Sequence, residues 1–327
     1  MTTERLQVLY KHISGGKVKL NLTHAEKIVS QNYHDQLRYT LDNPLLNYEQ
    51  RRFYEENGYI VIPKLIEDSL LDECCRRFVD YCDGVIPKGG ATLMKDISLL
   101  KKGARGVYLY NKIQDILFDE IFEKYFFHSQ LLDYVSCFTG PNIRAMHSML
   151  INKPPDSGAL TSRHPLHQDL YYFPFRPADR IVAAWTAMEP VTTSNGCLVV
   201  LPGTHKGELL QHDYPSWEGG VNKAYHGIQG CDDYETVPLP MDKGDTVFFH
   251  PLLIHGSGIN KTPGFRKAIS CHYSTSDCKY IDVYGTVQEK IAKEIEEMAA
   301  AKGLPLTIEE VWRYRSRPVR GYELINI

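Results

Sequence analysis

Three side chains in this sequence have the types and spacing to hold a divalent metal while leaving part of its coordination sphere open. His167 and Asp169 stand two apart in Leu166 to Phe173, a stretch with the character of a strand. Residues two apart on a strand project from one side, so this imidazole and this carboxylate can converge on one ion. His255 lies far downstream, after Thr246-Val247-Phe248-Phe249 and a bend at Pro251. Two imidazoles and a carboxylate form one face of an octahedral Fe(II) and leave the other face open for chemistry. The triplet alone carries little weight: 13 His and 20 Asp in 327 residues give about 0.8 His-x-Asp triplets by chance. A hydrogen-bonded histidine beside a solvated aspartate would look the same.

Downstream residues strengthen the metal reading. Arg266 follows His255 in Gly264-Phe265-Arg266-Lys267-Ala268-Ile269, a stretch that alternates before turning apolar. A guanidinium there can grip a planar carboxylate through two parallel hydrogen bonds, which lysine cannot imitate. That is the anchor a 2-oxoglutarate cosubstrate needs. The competing reading, a surface ion pair, would contribute little.

A longer pattern surrounds these four residues. It comprises Ser162-Arg163-His164-Pro165-Leu166-His167-Gln168-Asp169-Leu170, Phe173-Pro174-Phe175-Arg176-Pro177, Ala184-Trp185-Thr186-Ala187-Met188-Glu189, Asn195-Gly196-Cys197-Leu198 and Leu201-Pro202-Gly203-Thr204-His205. Pro251-Leu252-Leu253-Ile254-His255-Gly256-Ser257-Gly258 and Gly264-Phe265-Arg266-Lys267-Ala268 complete it. In these motifs the chain resembles the phytanoyl-CoA dioxygenase (phytanoyl-CoA 2-hydroxylase) family, from about Tyr39 to the C-terminal region and most densely over residues 140 to 285.

The resemblance implies a dioxygenase that uses Fe(II), 2-oxoglutarate and O2, with ascorbate in support. It would hydroxylate C2 of phytanoyl-CoA or a related branched acyl-CoA in fatty-acid alpha-oxidation, releasing succinate and CO2. Carried over by position, it assigns His167, Asp169 and His255 to iron, and Arg266 and Ser257 to the distal carboxylate of 2-oxoglutarate. It also sets Lys112, Met149, Gln168 and Trp185 around that cosubstrate, and implies no catalytic residue beyond the metal centre. Halogenating relatives lack the carboxylate and place halide in its slot, so Asp169 points to hydroxylation. Without the resemblance, Met149 packs within a strand, Trp185 among Ala183, Ala184 and Ala187 fills a barrel interior, and Lys112 is a solvated lysine.

Other histidines compete as ligands. His164 is an odd number of positions from His167 and precedes Pro165, so on a regular strand it faces the opposite side. His250 has the same parity relative to His255 and also precedes a proline. Both read as supporting or packing residues, and His205 in Pro202-Gly203-Thr204-His205 as a hydrogen-bonding loop residue.

The elements that must position these residues read as mainly β with peripheral helices (α+β), around a double-stranded β-helix core of the jelly-roll or cupin-like kind. Asn47 with Gln50 three positions on has capping-box character, and that helix closes at Gly58. Tyr59 to Ile62 reads as a strand, and Leu71, Cys74, Cys75, Phe78 and Cys82 repeat at helical spacing. Helices are expected at about 129–138 and 286–301, the latter with Val287, Ile291, Ile295 and Met298 on one face. From Ile143, short strands are punctuated by Pro-Pro, Asn-Gly, Pro-Gly and Gly-Asp, as a jelly roll requires. The expected organisation is a targeting segment and linker over 1–45, then an oxygenase domain over 46–327 with its jelly-roll core at about 140–280. Gln211 to Tyr234 is a candidate mobile lid.

Composition narrows the function class. A formal charge of −3 gives no sign of nucleic-acid binding, and no apolar run approaches the roughly 18 residues of a membrane span. Eight cysteines without a CxxC pair read as reduced thiols. Arg5-Leu6-Gln7-Val8-Leu9-Tyr10-Lys11-His12-Ile13 resembles an N-terminal peroxisomal signal, with Ile13 departing from the usual Leu or Ala; an amphipathic first helix is the alternative. That signal implies a peroxisomal import receptor as partner and a peroxisomal location. Lys153, Arg163, Arg176, Arg180, Lys206 and Lys223 lie in loops near the site and could meet CoA phosphates, though such residues usually mark a solvated face. Two alternatives to an acyl-CoA hydroxylase are an oxygenase of another small molecule and a non-catalytic metal-binding jelly roll. The presence of Arg266 beside a full triad argues against the last.

Overall fold

The computed structural model describes residues 37–321 except 157, 159, 161, 218, 219, 232 and 233. The stretch at residues 5–13 that resembles a peroxisomal signal lies outside the described residues. Its helices are α1 (Tyr48–Asn57), α2 (Asp68–Asp83), α3 (Ile97–Lys101), α4 (Glu123–Phe126), α5 (Ser129–Thr139), α6 (Glu289–Ala300) and α7 (Ile308–Arg315). The first strands are β1 (Tyr59–Ile62), β2 (Thr92–Lys95), β3 (Tyr110–Gln114), β4 (Ile143–Lys153), β5 (His164–His167), β6 (Phe175–Arg176), β7 (Ile181–Ala187) and β8 (Leu198–Val200). They are followed by β9 (His212–Asp213), β10 (Gly227–Ile228), β11 (Val237–Leu239), β12 (Thr246–Phe249), β13 (His255–Ser257), β14 (Arg266–Thr275), β15 (Lys279–Tyr280) and β16 (Arg317–Arg320).

Two sheets build the core. The larger runs β1-β12-β7-β14-β4-β3-β2 with β16 added on β4, and the smaller runs β11-β8-β13-β5. Along the chain the strands cross between them: β4 and β7 lie in the larger sheet while β5 and β8 lie in the smaller, and β11 to β14 repeat the exchange. This is the winding of a double-stranded β-helix, the jelly roll expected from the spacing of turn signals.

Burial follows the strand period. All seven residues of β7 are buried, because both of its faces are covered. Val182 and Ala184 join a cluster shared with α1, α2, α4 and α5, while Ala183, Trp185 and Ala187 face the space between the sheets. In α2, Leu71, Cys74, Phe78 and Cys82 point into that first cluster; each such apolar side chain contributes about 1.5–3 kcal/mol of burial. The cap of α1 forms as its sequence suggests: Asn47 Oδ1 accepts from the Gln50 N–H at 2.9 Å, and Gln50 Oε1 accepts from the Asn47 N–H at 3.0 Å.

A third cluster closes the open side of the barrel. Ile291, Ala292 and Ile295 of α6 and Ile308, Val311 and Trp312 of α7 pack with Phe173, Phe175 and Met146. Neither α7 nor β3 was anticipated from the sequence. Gln211 to Tyr234, the candidate lid, contains the β9–β10 ribbon, with His212 and His226 fully buried. Among the described residues no disulfide joins any of the eight cysteines, and no helix is long and apolar enough to cross a membrane.

Candidate active site

The metal-binding geometry is assembled where β5 meets β13. The strand expected over Leu166 to Phe173 stops at His167, and Asp169–Tyr172 forms a 3-10 turn instead. Gln168 between them keeps extended backbone (φ −116°, ψ 126°). That single extended residue is enough to hold His167 and Asp169 on the same side. The turn is secured from α6: the Gln288 side-chain amide donates to the carbonyls of Leu170, Tyr171 and Phe173 at 3.0, 3.1 and 3.0 Å.

His255 pairs opposite His167, and Ser257 opposite His164. Three steps along β5 thus oppose two along β13, a bulge that reverses the alternation of side chains. His164 therefore faces the interior, with its ring centroid 4.4 Å from that of His167, against the expectation drawn from regular strand parity. The crowding at this bulge requires glycine at 256. A Cβ there would lie 2.9 Å from the His164 carbonyl oxygen and 3.1 Å from that of Pro165.

The donor atoms of His167, Asp169 and His255 lie within 4.8 Å of one another, and all three residues are buried. His167 Nε2 is 3.2 Å from Asp169 Oδ1, and His255 Nε2 is 3.6 Å from Asp169 Oδ2. Metal–ligand bonds of about 2.1 Å at right angles separate neighbouring donors by about 3 Å, so the triad fits an ion of that size with little movement. Both imidazoles are held in the tautomer a metal needs. Nδ1 of His167 donates to the Pro165 carbonyl at 2.9 Å and Nδ1 of His255 to the Leu253 carbonyl at 3.0 Å. A carbonyl only accepts, so each proton sits on Nδ1 and each Nε2 lone pair is left for the centre. Burial pushes His255 down to about 4, with Asp169 opposing. Burial also pushes the Asp169 carboxyl up, but the neighbouring imidazoles His255 and His272 and the hydrogen bond that His272 donates hold it well below the usual carboxylate range. Neutral imidazole and ionised carboxylate are the forms that bind metal.

The Asp169 carboxylate is oriented by a residue that sequence reasoning missed. His272 Nε2 donates to Asp169 Oδ2 at 2.7 Å, and His147 of β4 stacks on His272 with ring centroids 5.6 Å apart. A signal for His272 was present: Arg266, Ser270 and His272 share a parity on β14, and all three line one cavity. His147, His164, Tyr172 and Tyr225 line it as well.

The cavity occupies about 570 Å³ and joins the triad to Arg266. Arg266 opens β14 and is 2% exposed, which excludes a surface ion pair. Its Nη2 donates to the Gly196 carbonyl at 2.8 Å, while Nε and Nη1 have no hydrogen-bond partner. The guanidinium carbon lies 5.3 Å from the centroid of the Trp185 ring. Burial brings the group down to about 10, so it is still a cation at neutral pH. A buried cation with unpartnered donors is costly unless an anion joins it. Gly196, at φ +83°, can present its carbonyl there because it lacks a side chain: a Cβ would lie 2.6 Å from the Gly258 carbonyl oxygen.

Ser257, Met149, Trp185 and Lys112 line the same cavity. Lys112 on β3 is buried rather than solvated, its Nζ 5.2 Å from the centroid of the Tyr225 ring. Burial pulls its pKa to about 8 against the opposing charge of Asp115. Met149 is half-buried against the cavity rather than packed in the core. Gln168 departs from expectation. It points away from His167 and Asp169 and is absent from the cavity wall. Its side chain donates to the carbonyls of Glu208 and Leu252, both at 3.0 Å, and accepts from the Leu210 N–H at 2.8 Å. Gln168 ties the loop carrying Glu208 and Leu210 to the loop carrying Leu252, behind the triad.

The phytanoyl-CoA dioxygenase family model matches residues 54–268, which carry the triad and Arg266. The chain belongs to that family. A human relative named "Phytanoyl-CoA dioxygenase, peroxisomal" is 53% identical over 97% of this chain and 96% of its own length. The rat protein of the same name is 58% identical over 90% of this chain and 88% of its own. In Caenorhabditis elegans a "Probable phytanoyl-CoA dioxygenase" is 52% identical over 86% of this chain and 96% of its own. Among solved structures, EctD from S. alaskensis with 2-oxoglutarate and 5-hydroxyectoine superposes with a TM-score of 0.55 at 15% identity, covering 74% of this chain and 81% of that one. The epimerase SnoN with Fe3+, alpha-ketoglutarate and a nogalamycin compound gives 0.54 at 18%, covering 71% and 84%. At such identities these structures speak for the fold.

In this family member several of the competing histidines and loop cations are tied into the structure. His250 is buried with its ring centroid 5.0 Å from that of Tyr39, and its Nδ1 accepts from the Leu252 N–H at 3.1 Å. His205 Nε2 donates to the Glu55 carbonyl at 3.1 Å. Of the cations considered for CoA, Lys153 is buried and donates to the carbonyls of Ser162 and Gly258. Arg176 donates to the Phe173 and Phe175 carbonyls and to Gln288, and Arg163 lies over the Trp217 ring at 3.7 Å.

Proposed function

We propose that this protein is an Fe(II)- and 2-oxoglutarate-dependent dioxygenase that hydroxylates C2 of phytanoyl-CoA or a related branched acyl-CoA, with release of succinate and CO2. One observation carries the reading. A buried guanidinium with two unpartnered nitrogens shares a cavity with a two-histidine, one-carboxylate face.

His167, Asp169 and His255 would hold the iron. When bound, iron with 2-oxoglutarate and O2 supplies the oxidising power for an unactivated C–H bond. Arg266 and Ser257 grip the distal carboxylate of the cosubstrate, and Lys112 adds a second positive charge to the cavity wall. Trp185 and Met149 cover the cosubstrate and keep water from it. His272 keeps the Asp169 carboxylate turned to the centre through its hydrogen bond to Oδ2.

The close relatives are named peroxisomal, and a peroxisomal location for this chain is part of the proposal. Arg5 to Ile13 would be read by the import receptor; a reporter fused to residues 1–30 that stays in the cytosol would remove that part. The reaction is tested by anaerobic reconstitution with Fe(II), followed by O2-dependent succinate formation from 2-oxoglutarate with a panel of branched acyl-CoAs and free acids. Stimulation by a branched acyl-CoA is expected. Stimulation by free acids alone would shift the reading to a related oxygenase of another small molecule.

A further inference from the structure

The cavity continues beyond the metal-binding residues into an apolar groove that the cosubstrate does not need. His147 leads into it: Trp312 meets its ring edge-on with centroids 5.6 Å apart, and Phe173 packs on Trp312 at 5.1 Å. Past Trp312 the wall is formed by Ile291, Ile295, Met298 and Ala299 of α6 and Val311 of α7, with Phe118 lining the same cavity. From Ile291 to Met298 the helix rises about 10 Å at 1.5 Å per residue, longer than a short acyl group.

The rim is also apolar. Phe118, Leu304 and Tyr314 are 61%, 53% and 72% exposed, yet all three line the cavity. The charged groups at this end have partners: Arg315 pairs with Asp115 at 3.0 Å, and Lys302 donates to Thr92 Oγ1 at 3.0 Å. An exposed hydrocarbon surface continuous with a reaction centre marks a site for a hydrocarbon ligand. Coenzyme A, with its phosphates and amides, does not match this lining; an alkyl chain does.

We propose that the groove between α6, α7 and Phe118 is the acyl-chain subsite, and that Met298 and Ala299 help set which chain lengths fit. The assignment rests on the acyl-CoA reading above. Both residues are half-buried on α6, so they can be altered without opening the core.

The test compares kcat/KM for phytanoyl-CoA and for 3-methylbutanoyl-CoA in wild type, Ala299→Phe and Met298→Ala. It is joined by binding of phytanoyl-CoA to the metal-free proteins, read from tryptophan fluorescence. Ala299→Phe blocks the groove and is expected to lower the long-to-short selectivity ratio at least about ten-fold, and Met298→Ala about ten-fold, the low end of the value of a methylene contact. Both are expected to weaken phytanoyl-CoA binding, with KM for 2-oxoglutarate within about two-fold of wild type. If Ala299→Phe does not fold, Met298→Ala decides. An unchanged ratio and unchanged binding in a folded variant overturn the subsite and leave the reaction intact. A wild type that converts neither acyl-CoA overturns the reaction, and the subsite with it.

Discussion

Arg266→Lys is the substitution whose effect the site geometry specifies most closely. Arginine has five N–H donors; here Nη2 serves the Gly196 carbonyl, while Nε and Nη1 point at no protein acceptor. A carboxylate at an open edge of the guanidinium would receive two charge-assisted hydrogen bonds of about 1.5–3 kcal/mol each, one from the unpartnered Nε or Nη1 and one from the second N–H of Nη2. Lysine keeps the charge but loses the planar fork, so one of the two is lost, about 2 kcal/mol or roughly 30-fold in affinity for 2-oxoglutarate. Arg266→Ala loses both, about 4 kcal/mol or roughly 1000-fold. Anaerobic isothermal titration of 2-oxoglutarate in the presence of Fe(II) measures these values directly. Pyruvate, which lacks the distal carboxylate, is the control: wild type is expected to prefer 2-oxoglutarate strongly and Arg266→Ala hardly at all. If Arg266→Lys binds 2-oxoglutarate within about three-fold of wild type, or Arg266→Ala keeps a large preference over pyruvate, the anchor lies elsewhere.

Three further perturbations probe the rest of the site. His272→Leu removes the donor to Asp169 Oδ2 and is expected to weaken Fe(II) binding about 10–100-fold, with His272→Gln partly restoring it; metal titration with both variants at wild-type affinity would refute the orienting role. Gly256→Ala forces a Cβ to 2.9 Å from the His164 carbonyl oxygen and is expected to cost about 1–3 kcal/mol in a denaturant melt, with Fe(II) affinity falling as β5 and β13 part; an unaltered midpoint would show that the bulge can relax. Because burial pulls Lys112 down to about 8, its amine is cationic below that pH and neutral above it. KM for 2-oxoglutarate is therefore expected to rise as pH increases through that region, and Lys112→Met to flatten the profile; an identical profile in the variant would separate Lys112 from cosubstrate binding.

Much of this arrangement is legible in the sequence because it rests on local rules. The α1 cap follows from Asn47 and Gln50, the α2 stripe from helical spacing, and the proximity of His167 to Asp169 from one extended residue between them. The β5–β13 bulge is not local. Whether His164 faces in or out depends on one extra residue relative to a partner strand some ninety positions away, so regular parity gives the wrong side. Gln168 illustrates a similar limit: its neighbours in sequence line the cavity, but the alternation that turns them inward turns it outward to Leu210 and Leu252. Burial of Lys112 depends on β3 pairing with β4, a non-local event with no signal in Asn111-Lys112-Ile113. His272 was within reach, two strand periods beyond Ser270's neighbour Ala268 and on the same face as Arg266. The groove wall was half-read, since α6 showed its apolar face but the sequence said nothing of what that face would line.

The most direct test of the central claim follows the oxygen atoms. Reconstituted with Fe(II) and 2-oxoglutarate and supplied with phytanoyl-CoA under oxygen-18 gas, the enzyme should yield one succinate per 2-hydroxyphytanoyl-CoA. One labelled atom is expected in the new hydroxyl and the other in succinate, and Asp169→Ala should abolish both products. Succinate formed with no hydroxylated acyl-CoA, or a hydroxyl at a carbon other than C2, would contradict the account.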